Sequence, residues 1–267
     1  MLTNRTAGDR NALENSGNES HDHQLPFGAP VGTASEVVQG QRRKELAPGV
    51  SDRRGAVKIG IVGSGRIGGL VGTLWSQAGH DVLFSSRRPE NLDGLVQRAG
   101  GTARSGTPDE AIAFGEIILL AIPFGSLPEF GRTKREAIGD KVVLETGNPN
   151  LGRDGAMADE VVRSGRGTGA YLRDWFPHVR VVRAFNTVWD GTLAKEAHRA
   201  EPRVGIPLAS DDEEALRIAS GLVGDAGFEP VVVGPLDRAR EFDVGTPVYN
   251  TGMSGAEVRK ALGLGIG

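Results

Sequence analysis

Residues Lys58–Arg88, KIGIVGSGRIGGLVGTLWSQAGHDVLFSSRR, decide the fold of this chain. The β-branched run Ile59, Ile61, Val62 predicts a buried strand, which ends in Gly63-Ser64-Gly65-Arg66-Ile67-Gly68, a G-x-G-x-x-G turn. Apolar residues then recur at Ile67, Leu70, Val71, Leu74 and Trp75, the spacing of one helix face. Gly79 closes that helix, and Asp81 to Phe84 begins a second strand. In such a unit Gly63 makes the tight turn, Gly65 admits a pyrophosphate, and Gly68 lets helix and strand pack closely. The helix N-terminus, with unpaired N–H groups and a positive dipole end, then faces the phosphates. A lone glycine motif in a chain with 40 glycines is weak evidence; the flanking strand, helix and strand make it strong.

The end of the second strand selects the dinucleotide. NAD-binding units carry Asp or Glu there, about twenty residues past the glycines, to hold the ribose 2′-hydroxyl. This chain has Ser85-Ser86-Arg87-Arg88 instead, hydroxyls and guanidinium groups that suit a 2′-phosphate and point to NADP(H). The expected nucleotide set is therefore Gly63, Ser64, Gly65, Arg66, Ile67, Gly68, Ser85, Ser86, Arg87 and Arg88.

Composition narrows the classes. The 267 residues carry a net charge of −3, with no basic block, so a nucleic-acid partner is not expected. Cysteine is absent, which excludes disulfides, thiolate catalysis and cysteine-held metal, and agrees with a reducing cytoplasm. No apolar run reaches the length of a membrane span, and no metal site is expected. Arg53-Arg54 before an apolar stretch imitates a twin-arginine signal, but that stretch is already used as the first strand and helix. Residues 1–55 are rich in Asn, Ser, Gly, Glu, Gln, Arg and His with Phe27 as the only aromatic, and are expected to be a disordered extension. His21 and His23 in that extension are read as bystanders.

After Arg88 strands and helices keep alternating. Helices are expected over Pro89 to Gly100 and Pro108 to Phe114, the latter capped by Thr107, and a short strand over Thr102 to Arg104. Glu116 to Ile122, Lys141 to Glu145, Val179 to Phe185, Arg203 to Ala209 and Phe228 to Val233 read as further strands. The fold class is α/β, a Rossmann-type doubly wound, mostly parallel sheet over 56–245, followed by a C-terminal segment 246–267. Ligands of such sheets lie outside the carboxyl ends of the strands. The loops expected to meet there are the glycine turn, Ser85–Arg88, Ile122–Phe124, Thr146–Pro149 and Asn186–Trp189.

Those loops are small, apolar or amide-bearing. Ile122-Pro123 offers a flat wall for a nicotinamide ring, and Asn148, Asn186 and Thr187 can hydrogen-bond a carboxamide or a substrate carbonyl. His178 lies at the wrong strand end, and Glu241 with Asp243 reads as a solvated face. No serine elbow, zinc helix or P-loop lysine is present, and nothing reads as a proton relay. Ketone reduction needs a proton as well as hydride; hydride exchange between two redox cofactors does not need a dedicated relay.

The stretches SSRRPENL, AIPF, VVRAFNTV and GPLDRAREFDVGTPVY, together with the glycine unit, resemble the deazaflavin-dependent NADP oxidoreductases (NADPH:coenzyme F420 reductases) and their bacterial relatives over Val57 to Tyr249. The N-terminal half also resembles pyrroline-carboxylate reductases and the reductase domain of transmembrane metal reductases. The family resemblance implies that Ser86, Arg87 and Arg88 hold the 2′-phosphate, that Ile122-Pro123 lies by the nicotinamide, and that Asn186-Thr187-Val188 borders the deazaflavin; Ala121, just before that pair, joins the expected cofactor-binding residues. Two departures stand out: the turn is GSGRIG where that family tends to have Gly-Thr-Gly-Asn, and Asn186 stands where it has histidine. The implied activity is hydride transfer between NADP(H) and a deazaflavin of the coenzyme F420 type, with small-molecule cofactors as partners and a homodimer compatible with it. NADPH-dependent reduction of a small imine or carbonyl compound, and non-catalytic binding of NADPH by a regulator, are the alternatives.

Overall fold

The structure is a computed structural model and describes residues 55–265. The extension expected over 1–55 lies, but for Gly55, outside the described residues. The first half runs β1 (Lys58–Val62), α1 (Arg66–Gln77), β2 (Asp81–Ser85), α2 (Asp93–Ala99), β3 (Arg104–Gly106), α3 (Pro108–Phe114), β4 (Ile117–Leu120) and α4 (Leu127–Ile138). The second runs β5 (Val142–Glu145), α5 (Leu151–Ser164), α6 (Thr168–Trp175), β6 (Arg180–Arg183), α7 (Asp190–Glu196), β7 (Gly205–Ala209), α8 (Glu213–Asp225), β8 (Glu229–Gly234) and α9 (Gly255–Ala261).

The strands form one sheet in the order β3-β2-β1-β4-β5-β6-β7-β8, parallel except where β7 meets β6. The chain builds outward from β1 through β3, then returns to lay β4 on the other side of β1. Strand order reverses there, and this opens the crevice in which doubly wound sheets bind ligands. Both faces of the sheet are covered, which is why the strands read as continuous apolar runs. Ile59, Ile61, Leu119, Leu144 and Val182 meet α1 and α8 on one face. Val62, Ile118, Leu120, Val143 and Val181 meet α3, α4 and α6 on the other. Trp75 is fully buried, and its indole N–H donates to the Leu222 carbonyl at 2.7 Å, fastening α1 to α8.

Local chemistry sets the boundaries. Thr107 caps α3 as expected, in a capping box with Glu110. The third strand starts at Arg104 rather than Thr102, because Gly100 and Gly101 both take positive φ and keep the chain turning. β6 stops at Arg183 because Phe185 sits at φ 56°, in the left-handed region. The C-terminal segment, as far as residue 265, packs onto the sheet through α9, which contacts β7 and β8. Val248 and Val258 are buried against Val231, Val233 and Phe242, removing their apolar surface from water. Among the described residues no helix is long and apolar enough to cross a membrane.

Candidate active site

The nucleotide side is made almost wholly of backbone. Gly63 turns at φ 94°, and a Cβ on Gly68 would stand 2.1 Å from the Gly63 carbonyl oxygen, so neither position admits another residue without movement. A Cβ on Gly65 would meet no protein atom within 4 Å, leaving open space directly over the turn. α1 begins there without a side-chain cap, its first N–H groups lacking intrahelical partners. The Ser64 hydroxyl is buried and unpartnered within the chain. Open approach, free N–H groups and a spare hydroxyl together fit a pyrophosphate.

At the end of β2 the four expected residues part ways. Ser85 is fully buried and its hydroxyl donates to the Ile61 carbonyl at 2.7 Å, so it leaves the phosphate set: it serves the β1–β2 interface. Ser86 accepts from the Arg88 backbone N–H at 2.9 Å and keeps its own proton to donate. Arg87 and Arg88 are exposed. Arg66 points toward α7, paired with Asp190 at 2.7 Å and 5.9 Å from the Trp189 ring.

A cleft of about 510 Å³ runs from Gly65, Arg66 and Ile67 past Ala121, Ile122 and Pro123 to Thr146–Asn150, Arg153, Val244 and Tyr249. Of the four acceptor-side candidates it includes Asn148 alone. Asn186, Thr187 and Val188 are buried at 4%, 1% and 5% exposure and stand outside the lining. Asn186 is turned inward, donating to the Phe242 carbonyl at 3.1 Å, and the Thr187 carbonyl accepts from the Asn250 N–H at 2.6 Å. These residues join strand end to C-terminal loop. Sequence reasoning missed Arg153, Val244 and Tyr249; the last two lie in the late stretch GPLDRAREFDVGTPVY, whose resemblance was their only signal.

Behind the cleft lies a buried charged network. Arg183 and Glu145 are neighbours on β6 and β5, have 0% and 1% side-chain exposure, and form an ion pair. Arg183 also donates to the Gly147 carbonyl and, at 2.9 Å, to the Asn148 side-chain oxygen. Asp243 stands 3.4 Å from the same guanidinium and accepts from the Thr168 N–H and hydroxyl at 2.8 and 2.6 Å. Asp243 is therefore no solvated face, because loop closure carries it back onto β6; Glu241 does remain outward, paired with Arg238. Burial pushes the Glu145 carboxyl above the usual carboxylate range, against the pull of Arg183.

His178 is exposed at the start of β6, away from the cleft. A second cleft of about 520 Å³, bordered by Val57, His80, Ile117, Val142 and Leu222, lies at the amino ends of β1, β4 and β5. That is the wrong end of the sheet for a Rossmann ligand.

Residues 58–149 match the family model described as NADP oxidoreductase, coenzyme F420-dependent. The metalloreductase STEAP3 of Rattus norvegicus is 27% identical over 194 residues, 70% of this chain and 36% of that protein. The chain thus spans about a third of the length of that curated relative. Among solved structures, a hypothetical protein of Sinorhizobium meliloti aligns with TM-score 0.64 and 21% identity, covering 74% of this chain and 95% of that one. A protein assigned as an F420-dependent NADP reductase from Arthrobacter sp. FB24 aligns with TM-score 0.60 and 17% identity, covering 74% and 100%. The family match covers the glycine unit and the strands through β5, and the sheet shares its Rossmann-type fold with these solved structures.

Proposed function

We propose that the protein passes hydride between NADP(H) and a deazaflavin of the coenzyme F420 type, with the 2′-phosphate held by Ser86, Arg87 and Arg88 and the second ring laid along the outer cleft. One observation carries this reading: the cleft is apolar at Ala121–Pro123, carries the Asn150 amide, the Tyr249 phenol and the Arg66 and Arg153 guanidinium groups, and is lined by no carboxylate, imidazole, ammonium or thiol group. When bound, the nicotinamide would supply the hydride with its electron pair, and the balancing proton of the reduced deazaflavin would come from solvent. What remains for the residues is to bind, align and exclude water. Holding two flat rings in register at about 3–3.5 Å can supply roughly 7–11 kcal/mol through orientation alone. The description of the matching family and the Arthrobacter neighbour support the choice of acceptor.

A second reading, NADPH-dependent reduction of a small imine or carbonyl compound, is favoured by Tyr249, whose hydroxyl belongs to a residue of the same cleft and could deliver a proton. The test is to mix the protein with NADPH and oxidised coenzyme F420 and follow the deazaflavin absorbance. Stereospecific transfer of deuterium from labelled NADPH to the deazaflavin is expected. Deuterium found only in an imine or carbonyl product, with turnover abolished in Tyr249→Phe, would transfer the assignment to the second reading.

A further inference from the structure

We propose that the buried Arg183–Glu145–Asp243 network is a positioning device for the acceptor wall of the cleft. It holds 145–149 and 242–249 from behind, and so sets where Asn148, Pro149, Val244 and Tyr249 stand. This deepens the hydride-transfer reading and rests on it.

Three observations lead there. First, the pair occupies positions that an apolar pair would fill more cheaply: the residues two back on each strand, Val143 and Val181, are ordinary members of the cluster on that face. Desolvating two charges costs enough that hydrophobic replacements of buried ion pairs are often neutral or stabilising, so stability alone does not account for this one. Second, the hydrogen bonds leave the strands and end on the loops. The Gly147 N–H donates to Glu145 Oε1 at 2.5 Å, the Gly147 carbonyl accepts from Arg183, and Asn148 Oδ1 accepts from Arg183 at 2.9 Å. Asn148 Nδ2 then donates to the Asn186 carbonyl at 2.8 Å, so its amide is committed to holding two strand ends together. Asp243, beside Val244, brings in the late loop and ties it to Thr168 at the start of α6. Third, the hydrogen bonds and ion pairs of the network run to 145–148, Thr168 and Asn186 and not to the glycine turn or Ser86–Arg88, so the device acts on one half of the site.

The test uses the full chain with NADPH and coenzyme F420. Arg183→Met removes the charge and the fork, Arg183→Lys keeps the charge, and Asp243→Asn loosens only the late loop. Expected are an NADPH affinity within about twofold of the parent, and kcat/KM for the deazaflavin lower by about 100-fold in Arg183→Met, as misplacement by an ångström can cost. Arg183→Lys should recover part of the loss, and Asp243→Asn should show the same split less severely. If Arg183→Met does not fold, Asp243→Asn decides. An unchanged deazaflavin kcat/KM in the folded variant overturns the inference, and so does an NADPH affinity that falls by the same factor. If the parent protein does not turn over coenzyme F420, the functional reading fails, and amide hydrogen exchange tests the device by itself. Faster exchange confined to 145–149 and 242–249 in Arg183→Lys or Asp243→Asn supports it; exchange equal to the parent there, or faster throughout, overturns it.

Discussion

The two halves of the site are built from different materials. The nucleotide half lies within one strand–turn–helix–strand unit and works through backbone: a carbonyl that excludes a Cβ, a helix end that offers N–H groups, an open space over Gly65. The other half of the cleft is assembled from loops far apart in the chain, with a buried side-chain network behind it. Arg183 reaches Glu145 across 38 residues and Asp243 across 60. A backbone site tolerates many side chains and few glycine replacements; a side-chain site has the opposite sensitivity. The sharpest break between them is Glu145→Ala, which takes the buried carboxylate from Arg183, leaving it Asp243 at 3.4 Å and two neutral acceptors, and should cost about 3–5 kcal/mol of stability. Urea unfolding of the parent and variant measures it. A loss under about 1 kcal/mol would mean that Arg183 finds water or a new partner, and that the second half is less rigid than its burial implies.

On the nucleotide side the largest effect belongs to the two exposed arginines. Each charge-assisted contact to a phosphate contributes about 1.5–3 kcal/mol, so Arg87→Ala and Arg88→Ala should each weaken NADP(H) by that much and NAD(H) far less. Paired titrations with the two dinucleotides check this, and equal losses for both would remove the 2′-phosphate from this place. Within the turn, two glycines separate folding from binding. A methyl on Gly68 collides with the Gly63 carbonyl and should cost about 1–3 kcal/mol of stability. Gly65 has φ −76° and no protein atom in reach, so Gly65→Ala should leave the melting temperature nearly unchanged while NADPH affinity falls. A Gly65→Ala protein that binds NADPH as tightly as the parent would show that the pyrophosphate does not pass over this residue.

This difference in material also explains what could be read from sequence. The strands, their alternation with helices and the glycine turn follow from local signals: β-branched runs, a helical apolar stripe, glycines at fixed spacing, Thr107 with Glu110 three residues on. Ser85 escaped because a serine at a strand end looks the same whether its hydroxyl faces ligand or the neighbouring carbonyl at Ile61. Asn186 and Thr187 escaped because Phe185 in the left-handed region turns the chain inward immediately after β6, and nothing in a Phe announces positive φ. Glu145 and Arg183 read as ordinary strand residues. Only the register that puts them side by side makes a charged pair of them, and register is a property of the folded sheet.

β6 itself offers the finest comparison, for it carries an arginine at each end. Arg183 is buried against Glu145 by the cleft, whereas Arg180 pairs at 2.6 Å with Asp212 at the far end, with side chains 31% and 32% exposed. Asp212 also caps α8, accepting from the Ala215 N–H at 2.8 Å, and its carboxyl is lowered from 3.8 to about 2, first by the hydrogen bond from Arg180. The two carboxylates shift in opposite directions, so their contributions to stability run opposite ways with pH. Glu145, raised by burial, contributes most below its unfolded value of 4.5, and that contribution is lost as pH rises through its folded value. Asp212, depressed, stabilises above its unfolded value of 3.8 and loses that contribution as pH falls through about 2. A shift of this size has a ceiling of roughly 2 kcal/mol, which solvent screening of a partly exposed pair reduces to about 1 kcal/mol. Asp212→Asn isolates the charge, because Asn caps a helix as well as Asp does. Unfolding free energies of parent and variant from urea titrations should therefore differ by about 1 kcal/mol near neutral pH and converge as the pH approaches about 2. A gap that persists in acid would assign the stabilisation to the shape of the cap and leave the exposed end of β6 without an electrostatic role.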